Sequence, residues 1–451
     1  MQHLAKDFVR LLGLVACLEL VSLAASAQPP PKAPTNLCIA GAVCVASTAP
    51  AAPGVSAPTP PPSAPPSGGA KKWHPGHYMQ TWRNASYLFS PDYATAQKVR
   101  FADYDSIASN ANIKGVRTYY MWSMLEGATH GDYAAGFALL HAEINKVKGL
   151  AQPKRLVVIV MDSANYSICN SQACQNNFFP SYFVAAGCVG ASTSNGIQTK
   201  IKSWDPTCRG YLTDMMKAYG AEFDREPFLE GFMFPYETIM PPDTPGYSAD
   251  AYDKGMKEII LAMSKAFPTT NLGMTLNYFI DPAHTASLAA YAASIGVGWG
   301  DGDTCNGADT QGGTWGHQVT IGLMGGHDYR GEVPLMWGVE ASELGYGVVC
   351  GPLSPSSDNP PSGYSAKQVY AVTNDQIHTN FMYWEHNIFI GANSQRWYNC
   401  DPDGAANCAQ TSNPGGILTL INTTPLTHTA CPTVYDKLYG NGAAGSGCNT
   451  R

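Results

Sequence analysis

The chain has 451 residues, 45% of them apolar and only 14% charged, with a formal net charge of −7 at neutral pH. That is enough apolar matter for one large core with extensions. An acidic balance without a basic cluster argues against nucleic acid as a partner, and the prominence of Gly, Tyr, Asn, Ser and Trp reads as a secreted, loop-rich protein.

Residues 1–27 have the form of a secretory signal. Lys6 and Arg10 give a positive end, a mostly apolar run reaches Ala25 with Glu19 as its one irregularity, and Ala25-Ser26-Ala27 before Gln28 is a small-residue cleavage site. Leu14-Val15-Ala16-Cys17 offers a second reading, a lipoprotein box with a lipid anchor at Cys17. Its apolar lead-in is short, and cleavage after Ala27 is preferred. The expected location is secreted or periplasmic. No other stretch reaches the ~18 uninterrupted apolar residues of a membrane span. Residues 28–69, rich in Pro, Ala and Ser, read as an extended tether in which Cys38 and Cys44 could close a small loop.

Of the 13 cysteines, removal of Cys17 leaves an even number, which suits an oxidising compartment. Local pairing suggests Cys169–Cys174, Cys188–Cys208, Cys400–Cys408 and Cys431–Cys448, with Cys305–Cys350 as a longer link, although order alone does not fix connectivity. The paired spacing that zinc requires is absent.

From Trp73 onwards short apolar runs alternate with segments of helical period. The runs are 77–82, 116–122, 155–162, 228–236, 272–278, 296–300, 334–340 and 380–385. Phe137, Leu140, Ile144 and Val147 share one helical face, as do Leu212, Met215, Tyr219 and Phe223, and then Met256, Ile259, Ile260, Met263 and Phe267. Eight strands, each followed by a helix or long loop, predict an α/β fold: a (β/α)8 TIM barrel over 70–395. The cysteine-rich remainder, 396–451, is too polar for a core of its own and is expected as a disulfide-stapled cap. The competing doubly wound sheet would place a Gly-rich phosphate loop after its first strand, and none follows Trp82. The G-x-G-x-x-G match at 440–445 has no helix after it.

Chemistry in such barrels collects at the C-terminal ends of the strands. Those ends carry Trp82, Trp122 with Glu126, Asp162, Tyr236 with Glu237, Tyr278, Trp299 with Asp301, Glu340, and Trp384 with Glu385. Rings that stack on sugar faces and carboxylates that work as acid and nucleophile make a carbohydrate site. Each also has a plainer reading. Trp82, Trp122, Trp299 and Trp337 could simply pack the barrel, and Glu126 reads first as a turn or salt-bridge residue. Asp162 could cap the next helix or loop, Glu385 could be a buried partner of Arg83 or another cation, and His327 and Asp328 read as hydrogen-bonded surface.

The segment VRTYYMWSMLEGATHGDY (116–133), with its R…W..LE…G.Y pattern, resembles the second strand and following turn of clan A of the glycoside hydrolases, the retaining (β/α)8 enzymes. RLVVIVMD (155–162) is similar to the clan's third strand, FDREPFLEGFMF (223–234) to its run into the fourth, and Trp384 to its sugar platform. The resemblance spans roughly 73–393. It implies a general acid/base at the end of the fourth strand, Glu237, and a nucleophile at the end of the seventh, Glu340 in LMWGVEAS, with Glu343 as the competitor for that role. Trp82, Trp122, Asp162, Tyr236, Tyr278, Trp299, Trp384 and Glu385 are the expected substrate contacts. One departure stands out: the clan usually has Asn directly before the acid/base, where this chain has Tyr236.

The expected function is retaining hydrolysis of a polysaccharide or oligosaccharide by a monomer, without cofactor or metal. The alternative is a carbohydrate-binding or cell-surface barrel that has lost the chemistry. A metal-dependent hydrolase would need His pairs on strands one and six, and only His77 is near such a place. Intact-mass and peptide analysis of the mature protein is expected to show an amino terminus at Gln28 and no free thiol. An acylated Cys17, or several free thiols, would contradict the export reading.

Overall fold

The computed structural model describes residues 69–81, 93–164, 172–192, 198–238, 244–277, 279–302, 315–339, 366–385 and 416–450. The signal and tether, Trp82, Tyr278, Glu340 and Glu343 lie outside these residues, as do Cys169, Cys305, Cys350, Cys400 and Cys408.

Eight parallel strands form the central sheet: β1 (Gly76–Gln80), β2 (Ile113–Met121), β3 (Arg155–Met161), β4 (Leu229–Met233), β5 (Asn271–Thr275), β6 (Gly298–Gly300), β7 (Met336–Val339) and β8 (Phe381–Glu385). Their spatial order runs β6-β5-β4-β3-β2-β1-β8-β7. The two ends of that order meet through a parallel bridge between Trp299 and Leu335, and Gly338 N donates to Asp301 O at 2.7 Å. The sheet is thus a closed barrel, with each predicted run supplying one strand.

A helix follows every strand: α1 (Tyr93–Ser106), α2 (Ala134–Lys148), α3 (Pro206–Phe223), α4 (Ala249–Ala266), α5 (Pro282–Ser294), α6 (Trp315–Thr320), α7 (Ala366–Ala371) and α8 (Gly416–Thr423). The faces read from the sequence are the buried ones: Leu140, Ile144 and Val147 on α2, Leu212, Met215, Tyr219 and Phe223 on α3, and Met256, Ile259, Ile260 and Met263 on α4. Asp205 caps α3 by accepting from Thr207 N and Cys208 N, with Pro206 at the first position where a missing N–H costs nothing. No described helix is long and apolar enough to cross a membrane.

The N-terminal ends of the strands are closed by a floor. The short strand Lys71–Lys72 pairs in parallel with Cys448–Asn449, and Cys431 is disulfide-bonded to Cys448. Lys71 Nζ donates to the carbonyls of Phe267 and Thr270, and Lys72 Nζ to those of Glu226 and Leu229, so both ammonium groups are spent on strand and helix ends beneath β4 and β5. Trp73 lies edge-on to Phe381 and Tyr435, with ring centroids 5.2 and 5.9 Å away. The floor leaves the opposite rim as the place for a site. Cys188–Cys208 is the second described disulfide that was expected from the sequence.

Alternation along β8 and β1 fixes a buried contact on the outer face of the barrel. Trp384 Nε1 donates to His77 Nδ1 at 3.0 Å, so His77 Nε2 carries the ring hydrogen and donates to Thr424 O, also at 3.0 Å, just past α8. Both nitrogens are committed and the ring is neutral. Burial pushes the His77 pKa down to about 4. Because the folded value lies below the unfolded one, the contact's contribution to stability is fully present above about pH 6.5. As pH falls towards 4 the unfolded chain takes up a proton that the folded chain does not, and stability drops by about 3 kcal/mol. His77→Gln, whose amide can keep the bond to Thr424, is expected to flatten the stability–pH curve between about pH 7 and pH 4. Denaturant titrations across that range check this, and equal slopes in parent and variant would contradict it.

Candidate active site

The turn that follows β4 carries Tyr236 and Glu237, both half-buried. Its backbone is held from four directions. Phe234 N donates to Gly273 O at 3.0 Å, and Thr275 N donates to Pro235 O at 3.1 Å. Tyr236 N and Glu237 N both donate to Asp162 Oδ1, at 3.1 and 3.3 Å. Thr238 N donates to Asn277 Oδ1 at 3.1 Å, and Thr238 O accepts from Tyr252 Oη at 2.8 Å. Every backbone donor from 234 to 238 therefore has a partner, and Pro235 has none to satisfy. A carboxylate on such a turn is aimed by the barrel rather than by a free loop.

Asp162 was expected to touch substrate, but its oxygens are otherwise engaged. Oδ1 holds the turn, and Oδ2 lies 2.9 Å from Lys200 Nζ in an ion pair whose side chains are 3% and 2% exposed. Asp162 is a positioning residue in this structure. Lys200 Nζ also donates to Glu237 O at 2.5 Å.

The middle of the barrel holds an arginine. Arg117 of β2 is fully buried, donates to Gln80 Oε1 and, at 2.8 Å, to Tyr119 Oη, and lies 4.2 Å from the centre of the Tyr383 ring. Among the described residues its Nε and Nη1 have no hydrogen-bond partner and no carboxylate pairs with it. A buried guanidinium among neutral groups is costly unless an anion is close. Gly338 of β7 makes room for it: a Cβ there would stand 3.0 Å from Arg117 Nη2.

Three of the expected sugar-stacking rings belong to packing instead. Trp384 faces outwards to His77, because inward positions on β8 belong to its neighbours Tyr383 and Glu385. Trp299 also faces outwards: its Nε1 donates to Thr320 Oγ1 of α6 at 2.8 Å, and Tyr329 packs edge-on at 5.0 Å. Trp122 is fully buried, with Phe183 at 4.5 Å and Nε1 donating to Glu126 Oε2 at 2.8 Å. Glu126 in turn accepts from Gly131 N at 2.8 Å and braces the β2–α2 turn.

Two expected contacts remain at the inner rim. Tyr236 lies edge-on to Tyr119 at 5.5 Å. Glu385 pairs in register with Gln80, shares the inward face of Tyr383 and is 6% exposed. Trp82 and Tyr278 fall outside the described residues. Among the described residues no group of three or more His, Cys, Asp or Glu side chains could hold a metal ion, and His327 is an exposed partner of Glu332 at 2.7 Å.

Sequence reasoning missed Arg117, Gln80, Asn277 and Lys200 as members of the site. Arg117 had a signal, since it is the one cation in the buried part of β2, the other, Lys114, lying exposed near the strand's start. Asn277 stands beside the expected Tyr278, whereas nothing in the sequence ties Lys200 to Asp162.

No protein-family model matches the chain, and no curated protein matches it. Among solved structures, the catalytic domain of a β-amylase from Paenibacillus polymyxa superposes with a TM-score of 0.45 at 8% identity, over 77% of this chain and 97% of that one. An endo-glycoceramidase II from a Rhodococcus species gives 0.40 at 10% identity over 70% and 75%. An exo-β-1,4-mannosidase from Opitutaceae bacterium strain TAV5 gives 0.37 at 12% identity over 71% of this chain, and the match spans 54% of the mannosidase.

Proposed function

We propose that this chain is a secreted glycoside hydrolase that cleaves a polysaccharide or oligosaccharide by double displacement, with Glu237 as general acid/base and Glu340 as nucleophile. The observation that carries the reading is the tied turn after β4, which presents Glu237 at the C-terminal rim with all its backbone donors spent. Arg117 supports the second role. Glu340 directly follows Val339, the last residue of β7, in the sequence, and Gly338 of that strand lies against Arg117. An ionised nucleophile there would supply the anion that the guanidinium lacks.

In the first step Glu340 attacks the anomeric carbon while Glu237 protonates the departing oxygen. In the second, Glu237 removes a proton from water, which displaces Glu340 from the sugar. Tyr236, directly before the acid and against Tyr119, would take the wall where the clan usually has Asn, so recognition of the sugar's 2-position would differ. That same residue is the one feature that favours the second reading, a barrel that binds carbohydrate without cleaving it.

Glu340→Gln is expected to reduce turnover to near background while ligand binding persists. Glu237→Gln is expected to impair poor leaving groups by about 10²–10⁴-fold. Activated aryl glycosides, which need little protonation, should keep most of their first step, and azide should rescue the second. Steady-state kinetics on paired substrates read this contrast. Variants that degrade glycans as well as the parent, or a parent inactive on every glycan tested, would leave the binding barrel as the better account.

A further inference from the structure

We infer that the Asp162–Lys200 ion pair is a clamp that positions the acid, and that the small sheet carrying Lys200 belongs to the catalytic apparatus. This rests on the reading of Glu237 as acid/base. Lys200 lies on the strand Gln198–Ile201, the middle of a three-stranded antiparallel sheet with Ser163–Ala164 and Val189–Ser192, inserted between β3 and α3. Lys200 pairs with Ser163 in register, Ile201 N donates to Asp162 O at 3.1 Å, and the Cys188–Cys208 disulfide flanks the insertion.

The contacts form a closed ring around one residue. Asp162 Oδ1 accepts the N–H of Glu237, Asp162 Oδ2 takes Lys200 Nζ at 2.9 Å, and Lys200 Nζ donates to the carbonyl of Glu237 at 2.5 Å. Both peptide groups that flank the Glu237 side chain are therefore gripped by one buried pair of opposite charges. Rotation of that turn, and hence of the carboxyl, requires a break in the ring. The pair is neutral as a unit, so it fixes where the acid sits without adding a net charge beside it. Displacement of a reacting group by about 1 Å costs about a hundredfold in rate, and that is the loss the clamp prevents.

Lys200→Met is expected to lower kcat on poor-leaving-group glycosides about ten- to a hundredfold with KM little changed. Activated aryl glycosides should stay within about threefold in kcat/KM, which reports a first step that bypasses the acid, and azide should restore any loss in their kcat. Lys200→Arg should recover much of the loss. If Lys200→Met does not fold, the charge-neutral double variant Asp162→Asn/Lys200→Met, which strands no buried charge, carries the same measurements. Equal losses on both substrate types, or no loss on either, would overturn the clamp. Glu237→Gln, run in parallel, separates two failures. If it shows the leaving-group contrast and the Lys200 variants do not, the clamp alone falls, and if it shows none, the acid assignment and the clamp fall together.

Discussion

A parallel strand presents successive side chains to opposite faces, and in a closed barrel only one face looks into the middle. Here that constraint sorts nearly every residue of interest. On β1, β2 and β8 the inward set includes Tyr78, Arg117, Tyr119 and Tyr383, a polar and aromatic column around one guanidinium. The outward set includes His77, Thr118 and Trp384, which bond to one another or to the helices. A one-residue shift of register would exchange the two sets. The chemistry available at the rim is therefore decided by parity before any loop is considered.

The turn after β4 shows how a buried polar framework is afforded in such a barrel. Charged groups inside are expensive unless each finds a partner, and the structure pairs Asp162 with Lys200 and spends both on the backbone around Glu237. Asn277 and Tyr252 hold the next residue from β5 and α4. Three consecutive strands and one insertion thus converge on a single carboxylate. The floor does the opposite work at the other rim, where Lys71 and Lys72 satisfy carbonyl groups at the ends of strands and helices and leave no chemistry exposed.

The barrel was legible in the sequence because its signals are local. Apolar runs of strand length and faces of helical period place all eight strands, and the Cys188–Cys208 and Cys431–Cys448 disulfides are two of the pairs that local order suggested. The rim was only partly legible. A tryptophan at a strand end looks the same whether it points in or out. Trp384 was read as a sugar platform and Trp299 as a substrate contact or a packing ring, yet both point to the helices because their neighbours in the strand take the inward positions. The pairing of Asp162 with Lys200 was not legible, since Lys200 lies in an insertion whose path no periodicity reveals. Arg117 was visible as an odd cation in an apolar strand, and its meaning needed the barrel around it.

In the proposed double displacement two carboxyl groups act, one after β4 and one after β7. The anomeric configuration of the first-formed product tests it most directly, followed by NMR during hydrolysis before mutarotation sets in. Double displacement predicts that the product first appears with the configuration of the bond that was cleaved. A product of inverted configuration would contradict it.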